Sequence, residues 1–198
     1  VLHHIAHNMP NLFLLESVKG FTTLEQGKYL QQTVQFLKRI QDTNNQSAYW
    51  VHHQVINTAD HGVPHNRSRW YCVGIRKLAH PQGANFKFPS SIPTCSLGEF
   101  INTVEGVQTT STTNGKLAQA DVPIPDGVQR NLDNAFKQIR EFGLDPTNSA
   151  ITVDVDASAR HMTWNSMNLP CITRSRHRGH WITNKQRRTT IKEMLCFQ

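Results

Sequence analysis

The sequence predicts an α/β fold from three observations. Residues 11–18 form a short apolar run, which is typical of a buried strand in a parallel sheet. A helical pattern follows, and two segments rich in Trp, Tyr, Val and Ile come next, at 49–58 and 69–77. A helix that connects strands indicates an α/β sheet, and the two closing strands are near enough in sequence to pair antiparallel.

The first helix is predicted after a loop at Gly20. Thr22 and Glu25 have the spacing of a capping box at its start. Apolar residues then recur on one face at helical spacing, namely Leu30, Val34, Leu37 and Ile40. A turn-prone connection at 60–64 separates the two later strands.

After Lys77 the sequence predicts a more irregular region. A short helix is expected from Ser96, capped with Glu99, and the polar run Gln108 to Asn114 follows it. Asp126 is expected to cap an amphipathic helix closed by Gly143, with one apolar face formed by Val128, Leu132, Ala135, Ile139 and Phe142.

Two more elements are predicted near the end of the chain. Residues 151–155 are a strand candidate. Thr190 and Glu193 again have capping-box spacing and predict a final helix.

The charge balance gives the first functional indication. The 198 residues contain 21 Lys+Arg and 14 Asp+Glu, a net charge of +7, which excludes an acidic tail or a disordered polyelectrolyte. Residues 157–192 contain no acid but many arginines with interleaved Trp and His, a composition suited to phosphate contacts and stacking. A solvated basic face is the alternative interpretation.

Composition also indicates the compartment. No apolar run is long enough for a membrane helix, and the N-terminus does not resemble a signal peptide, so a soluble intracellular protein is expected. The four cysteines are far apart, which favours a reducing compartment. Cys95 and Cys171 are expected to be buried structural thiols.

Metal and nucleotide motifs are weak or missing. No G-x-G or Walker sequence occurs. A metal site is disfavoured because no C-x-x-C accompanies the nearest candidate ligands, which are His52, His53, His61, His65 and Cys72. Asp154 and Asp156 are expected on one side of a strand end and could hold a cation, although turn and cap roles are commoner for such residues.

Three charged residues stand out as candidates for chemistry. Glu16 ends an apolar strand, a position at which open α/β sheets hold ligands. Arg67 and Arg69 lie two residues apart at the start of a strand and are expected to project to one side, as paired donors would.

These residues lie in segments that resemble motifs of the cytosine-5 DNA methyltransferases. F-L-L-E-S-V-K-G at 13–20 resembles L-L-E-N-V-x-G, and N-T-A-D-H-G-V-P-H-N-R-S-R at 57–69 resembles N-A-x-D-Y-G-V-P-Q-x-R-x-R. Residues 188–198 are similar to the helix motif that ends in R-L-Q-G-F. Ser17 replaces the usual Asn, which weakens the positioning of Glu16, and His65 replaces the usual Gln.

The resemblance implies a fold and a domain division. It implies the C-terminal half of a Rossmann-like class I methyltransferase sheet over 1–77, an irregular target-recognition region over 78–187, and a helix returning to the catalytic domain over 188–198. The F-x-G-x-G loop for S-adenosylmethionine and the P-C-Q nucleophile are not found. Cys171 follows a proline in the recognition region and is not expected to be the nucleophile.

The family roles transfer to matching positions. Glu16 would hydrogen bond the N3 edge of a flipped cytosine, best when burial helps it to hold a proton. Arg69 would reach the base O2, and Arg67 would brace the catalytic loop or a phosphate. The expected contacts to double-stranded DNA are Thr173, Arg174, Arg176, Arg178, Arg187 and Arg188. Trp181 is expected to pack into the small domain.

The resulting hypothesis is a C-terminal fragment that is inactive without a missing N-terminal half, or without another protein that covers the incomplete sheet. S-adenosylmethionine would serve the complete enzyme, with no cofactor site in this chain, and a eukaryotic source would place the protein in the nucleus. The alternatives are a non-catalytic DNA-binding module and a structural subunit of a larger assembly. A metal-dependent nuclease has little support.

Overall fold

The computed structural model describes residues 1–106 and 124–197, and the predicted polar run Gln108 to Asn114 lies outside them. The helices in these ranges are α1 (Leu2–Asn8), α2 (Lys28–Arg39), α3 (Leu97–Gly106), α4 (Asp126–Glu141) and α5 (Ile191–Cys196). The strands are β1 (Leu12–Val18), β2 (Tyr49–Asn57), β3 (His65–Asn66), β4 (Ser68–Arg76), β5 (Thr152–Val153), β6 (Trp164–Asn165), β7 (Leu169–Pro170), β8 (Trp181–Ile182) and β9 (Arg187–Arg188). This mixed composition of helices and several sheets agrees with the predicted α/β class.

The chain divides into two compact units. The first comprises Val1–Asn57 and Ser68–Ser91, and the second comprises Thr58–Arg67 and Ile92–Gln198. The functional division at residues 77 and 187 remains a prediction. In the described ranges, no helix has both the length and the apolar character required to cross a bilayer.

The first unit contains a three-stranded sheet in the order β1-β4-β2. Both outer strands pair antiparallel with β4, so β1 and β2 run in the same direction, as a helical connection between them requires. The expectation of a doubly buried strand in a parallel sheet is wrong for β1. Phe13 is buried in the core with α2, whereas Leu12, Leu14 and Val18 lie on the other sheet face and are exposed. On that second face, the 3-10 helix Pro81–Asn85 packs on Trp50 and Ile75 and leaves the β1 side chains uncovered.

The covered face forms the core of the first unit. Leu37 of α2 packs with Phe13, Tyr49, Trp70 and other buried residues of the sheet. A Cβ atom at Gly74 of β4 would collide with the Phe13 ring, so glycine permits this close packing. The predicted helical face is therefore confirmed as a core contact.

The predicted capping box of α2 does not form. The Thr22 hydroxyl donates to the Lys19 carbonyl at 2.8 Å, and Glu25 has a positive φ of 48° in the loop. The helix begins at Lys28, after Gly27 with φ 84°. Two short 3-10 turns occupy the preceding residues, so the chain uses local loop bonds where the sequence pattern predicted a helix start.

The second unit contains a four-stranded antiparallel sheet in the order β6-β5-β8-β9 and a parallel β3–β7 pair. The buried face of α4 packs on residues of the 151–155 segment, including Ile151 and Val153. A second cluster joins α3, β7, β8 and the end of α5 through Leu97, Ile101, Leu169, Ile182 and Phe197.

Two of the three helix caps predicted in the second unit form, and the third does not. The capping boxes at Ser96 and at Thr190 both form, each closed by the glutamate three residues later. Asp126 instead lies in the first turn of α4, and Pro125 occupies the cap position. Phe142 is 73% exposed because it follows the helix end, where Gly143 adopts φ 86°.

Candidate functional site

Glu16 and Arg69 meet on the first unit's sheet. β1 and β4 pair with Glu16 opposite Tyr71 and Val18 opposite Arg69, so both side chains project from the same face. Glu16 Oε1 lies 2.9 Å from Arg69 Nε, and a second Arg69 nitrogen donates to the Ser68 carbonyl at 2.9 Å. A carboxylate and a guanidinium are thus fixed at the end of β1 and the start of β4.

This pair lies on the sheet face opposite the helix-covered core. The Glu16 side chain is 43% exposed, whereas that of Arg69 is 15% exposed. Leu14 and Val18 project from the same face of β1 and are exposed. The sheet itself therefore does not bury Glu16 enough to help it to hold a proton. Another group would have to cover this face.

Arg67 belongs to the second unit, where its backbone is closely held. The Thr58 amide and hydroxyl both donate to the Arg67 carbonyl at 3.2 Å. The Arg67 guanidinium donates to Cys171 Sγ at 4.0 Å. Cys171 and Cys95 are half-buried, so the expectation of fully buried thiols is wrong for both. The thiol of Cys95 contacts the Gly62 carbonyl.

The loop that carries the second motif is supported from several sides within the second unit. Gly62 has φ 87°, the Ile92 amide donates to the Asp60 carbonyl, and the Thr94 hydroxyl donates to the Ala59 carbonyl. His65, which replaces the family glutamine, is fully buried and its Nδ1 lies 2.5 Å from the Phe197 carbonyl. This contact was not predictable from the sequence, because it joins residues that are 132 positions apart.

The predicted DNA-contacting residues fall into two groups. Thr173, Arg174 and Arg178 are exposed. The other three arginines form ion pairs inside the second unit, with Asp154 for Arg176, Glu105 and Glu193 for Arg187, and Asp156 for Arg188. The charge pattern does not indicate these partners, although Asp154 and Asp156 lie just before the acid-free basic segment.

The ion pairs alter the titration of the acids. A hydrogen bond from Arg188 holds the pKa of Asp156 below its usual value, with further help from the charges of Arg176 and Arg178. A hydrogen bond from Lys185 does the same for the pKa of Glu105, with Arg187 as a second donor. These carboxylates are therefore charged at neutral pH and remain paired.

His180 lies beside the two aspartate pairs and is only 2% exposed. Burial lowers its pKa, and the opposing charge of Asp154 recovers only part of that shift. The indole of Trp181 packs against the α4 core, as expected.

The candidate cation ligands do not assemble into a metal site. Asp154 and Asp156 are occupied by Arg176 and Arg188. Across the described parts of the chain, no group of three or more His, Cys, Asp or Glu side chains is arranged to hold a metal ion.

A profile of the C-5 cytosine-specific DNA methylases matches residues 1–198 of the chain. The chain belongs to this family. Among its bacterial relatives, the type II methyltransferase M.HaeII of Haemophilus aegyptius is 40% identical over 83 residues, covering 42% of this chain and 22% of that protein. M.Bsp6I of Bacillus sp. (strain RFL6) is 30% identical over 102 residues, covering 51% of this chain and 30% of that protein.

M.HhaI of Haemophilus parahaemolyticus is 29% identical over 85 residues, covering 43% of this chain and 23% of that protein. The chain therefore spans about a quarter of the length of these curated relatives. They are bacterial proteins and give no support to a nuclear location.

Proposed function

We propose that this member of the cytosine-5 methylase family supplies the base-binding residues and the DNA-recognition region of a DNA cytosine-5 methyltransferase. The observation that carries the proposal is the contact of Glu16 Oε1 with Arg69 Nε at 2.9 Å. Both residues occupy positions in the two family-like motifs, and neighbouring strands bring them together. A carboxyl group beside a guanidinium matches the polar edge of cytosine, which offers N3 and O2 as acceptors.

The proposed reaction acts on a cytosine that has been rotated out of the duplex. Glu16 binds the N3 edge and Arg69 donates a hydrogen bond to O2. Both contacts withdraw electron density from the ring and make C6 easier for a nucleophile to attack. The entering base would cover the exposed side chain of Glu16 and supply the burial that the sheet lacks.

Arg67 has a different place in the proposal. Its carbonyl is clamped by Thr58, and its guanidinium reaches Cys171 within the second unit. A cation held in this way can support the motif loop or contact a phosphate. The nucleophile and the methyl donor site are assigned to the part of the enzyme that this sequence does not contain.

S-adenosylmethionine would supply the methyl group in the complete enzyme. The connection after β1 does not fit such a ligand well, because it runs through two 3-10 turns and lacks a G-x-G loop. We assign none of the described residues to this cofactor.

The open sheet face indicates what the remaining part of the enzyme must do. Leu12, Leu14 and Val18 are 61%, 63% and 58% exposed, and among the described residues β1 pairs with β4 alone. Exposed apolar side chains next to a free strand edge favour association with further structure. The proposed partner is the N-terminal half of the enzyme, packed beside β1.

A hybrid enzyme tests the proposal. The chain is joined to the remaining part of M.HaeII, and transfer of a labelled methyl group to duplex DNA is measured. We expect transfer to cytosine that Arg69→Ala reduces by roughly a hundredfold or more, since a lost charge-stabilising donor costs this much. The matched control is Arg140→Ala, a change on the exposed surface of α4. Equal loss in both variants would contradict the assigned role.

A further inference from the structure

The arginines expected to face DNA lie largely on one loop, which we name the arginine loop and define as residues 173–180. Its backbone forms two successive turns, since the Arg176 amide donates to the Thr173 carbonyl and the Gly179 amide donates to the Arg176 carbonyl, both at 2.9 Å. Gly179 has φ 79°, and a Cβ atom there would collide with Thr189. The loop therefore has a defined course.

Two ion pairs fasten this loop to the body of the second unit. Arg176 Nε lies 2.5 Å from Asp154 Oδ1, directly after β5. Arg188 binds Asp156 through two nitrogens, at 2.7 and 2.8 Å, and donates to the Gly179 carbonyl at 2.9 Å. The first pair holds the middle of the loop, and the second holds its end.

The loop residues on either side of Arg176 are exposed. Arg174 and Arg178 are exposed, and so are Thr173 and His177. Among the described residues, none forms a hydrogen bond or an ion pair with the guanidinium of Arg174 or Arg178. Alternation along the loop thus gives one arginine that is bound internally and two that face solvent.

We infer that Asp154 and Asp156 are positioning residues of the DNA interface. Through Arg176 and Arg188 they hold the arginine loop in place, so that Arg174 and Arg178 make the phosphate contacts. This inference rests on the proposed function, in which the basic segment faces DNA. The expectation was that all of these arginines contact DNA. In the inferred arrangement, Arg176 and Arg188 hold the loop, and Arg174 and Arg178 contact the DNA.

The effect of Asp154→Asn on DNA affinity distinguishes an anchoring role of Asp154 from a competing one. If Asp154 holds the loop, Asp154→Asn releases it, and DNA binding must then restore its order at an entropic cost. If Arg176 instead contacts a phosphate and Asp154 only competes for it, the same substitution frees a cation and removes a repulsive charge. Binding weakens in the first case and tightens in the second.

The experiment measures the dissociation constant of the 198-residue chain and a 30-base-pair duplex across a series of salt concentrations. We expect Arg174→Ala and Arg178→Ala each to flatten the log-log slope by about 0.9, the value for one lost phosphate contact. Asp154→Asn and Arg176→Ala should weaken binding by about tenfold at each salt concentration and leave the slope unchanged. The double variant Asp154→Asn/Arg176→Ala should bind DNA no more weakly than either single variant, because both substitutions break the same ion pair.

The matched control is Asp133→Asn on the exposed surface of α4, which changes the net charge by the same amount. Tighter binding for Asp154→Asn than for this control, or a slope flattened by Arg176→Ala, would overturn the inference. If Asp154→Asn loses its folded circular dichroism spectrum, Arg176→Gln takes its place in the comparison.

Limited trypsin digestion tests the anchor without DNA. Cleavage after Arg174 and Arg178 should be slow in the wild type and in Asp133→Asn, and at least tenfold faster in Asp154→Asn. Equal cleavage rates in the wild type and in Asp154→Asn would contradict the anchoring role of Asp154. A wild-type chain with no steep salt slope would contradict the proposed DNA-binding function, while the cleavage rates would still decide the role of Asp154.

Discussion

Glu16 and Arg69 are distant in sequence, yet their side chains touch across β1 and β4 at 2.9 Å. The antiparallel register places them on one sheet face, two residues apart along the ladder. Each lies in a different family-like motif. In the proposed function, this contact would allow a carboxyl group at the end of β1 and a guanidinium at the start of β4 to bind one base.

Replacing Gly179 in the arginine loop is expected to destabilise the protein. Gly179→Ala should destabilise the protein by about 1–3 kcal/mol, because φ is 79° and the new methyl group would collide with Thr189. Gly127→Ala is the control, since this helical glycine has open space and alanine should stabilise it by about 0.5–1 kcal/mol. Urea unfolding measures both, and equal midpoints would contradict the account.

Glu193 is expected to be important for stability. It is 1% exposed, completes the capping box of α5 and accepts two hydrogen bonds from Arg187. Glu193→Ala should lower the free energy of unfolding by about 3 kcal/mol, because a partly buried guanidinium and a helix start lose their partner. Glu141→Ala on exposed α4 should cost less than about 0.5 kcal/mol. A loss below 1 kcal/mol at Glu193 would contradict the role of this network.

The capping boxes show where a local sequence pattern predicts a helix start and where it does not. Ser96 with Glu99 and Thr190 with Glu193 were predictable, because each motif acts within one helical turn. The same pattern failed at Thr22, where loop contacts and positive φ values replaced the helix start. A local pattern predicts a helix end only where no competing loop geometry is available.

The sequence suggests candidate site residues, whose roles remain predictions, but it does not reveal their contacts. Motif resemblance identified Glu16 and Arg69, and strand alternation does not reveal that they touch. The pairs Arg176–Asp154 and Arg188–Asp156 depend on the packing of separate strands, so the sequence could not assign those arginines to internal partners. Charge composition indicated a basic surface without separating anchors from exposed contacts.

Stability should fall in mild acid because of His180. Burial lowers the pKa of this residue below its usual value of 6.5. As the pH falls below about 6.5, the unfolded chain takes up a proton that the folded chain resists, so the free energy of unfolding decreases. His180→Gln should reduce this dependence when unfolding is followed between pH 7.5 and 5. An unchanged pH slope in the variant would show that His180 titrates normally.

The chain alone is expected to transfer no methyl group. Neither a P-C-Q nucleophile nor a glycine loop for the donor occurs in the sequence. Incubation with labelled S-adenosylmethionine and duplex DNA should leave the DNA unlabelled, and titration calorimetry should detect no specific donor binding. Labelling that persists in Cys171→Ala, or a micromolar donor site, would contradict the proposed division of labour.

The role of Glu16 is the central claim, and methyl transfer by the hybrid with the remaining part of M.HaeII tests it most directly. Glu16→Gln keeps the size of the side chain but removes its ability to exchange a proton with the base. We expect the single-turnover rate of methyl transfer to fall by roughly a hundredfold or more, with duplex affinity unchanged within about threefold. Glu141→Gln should retain the full rate. A Glu16→Gln rate within twofold of the unmutated hybrid would contradict the account.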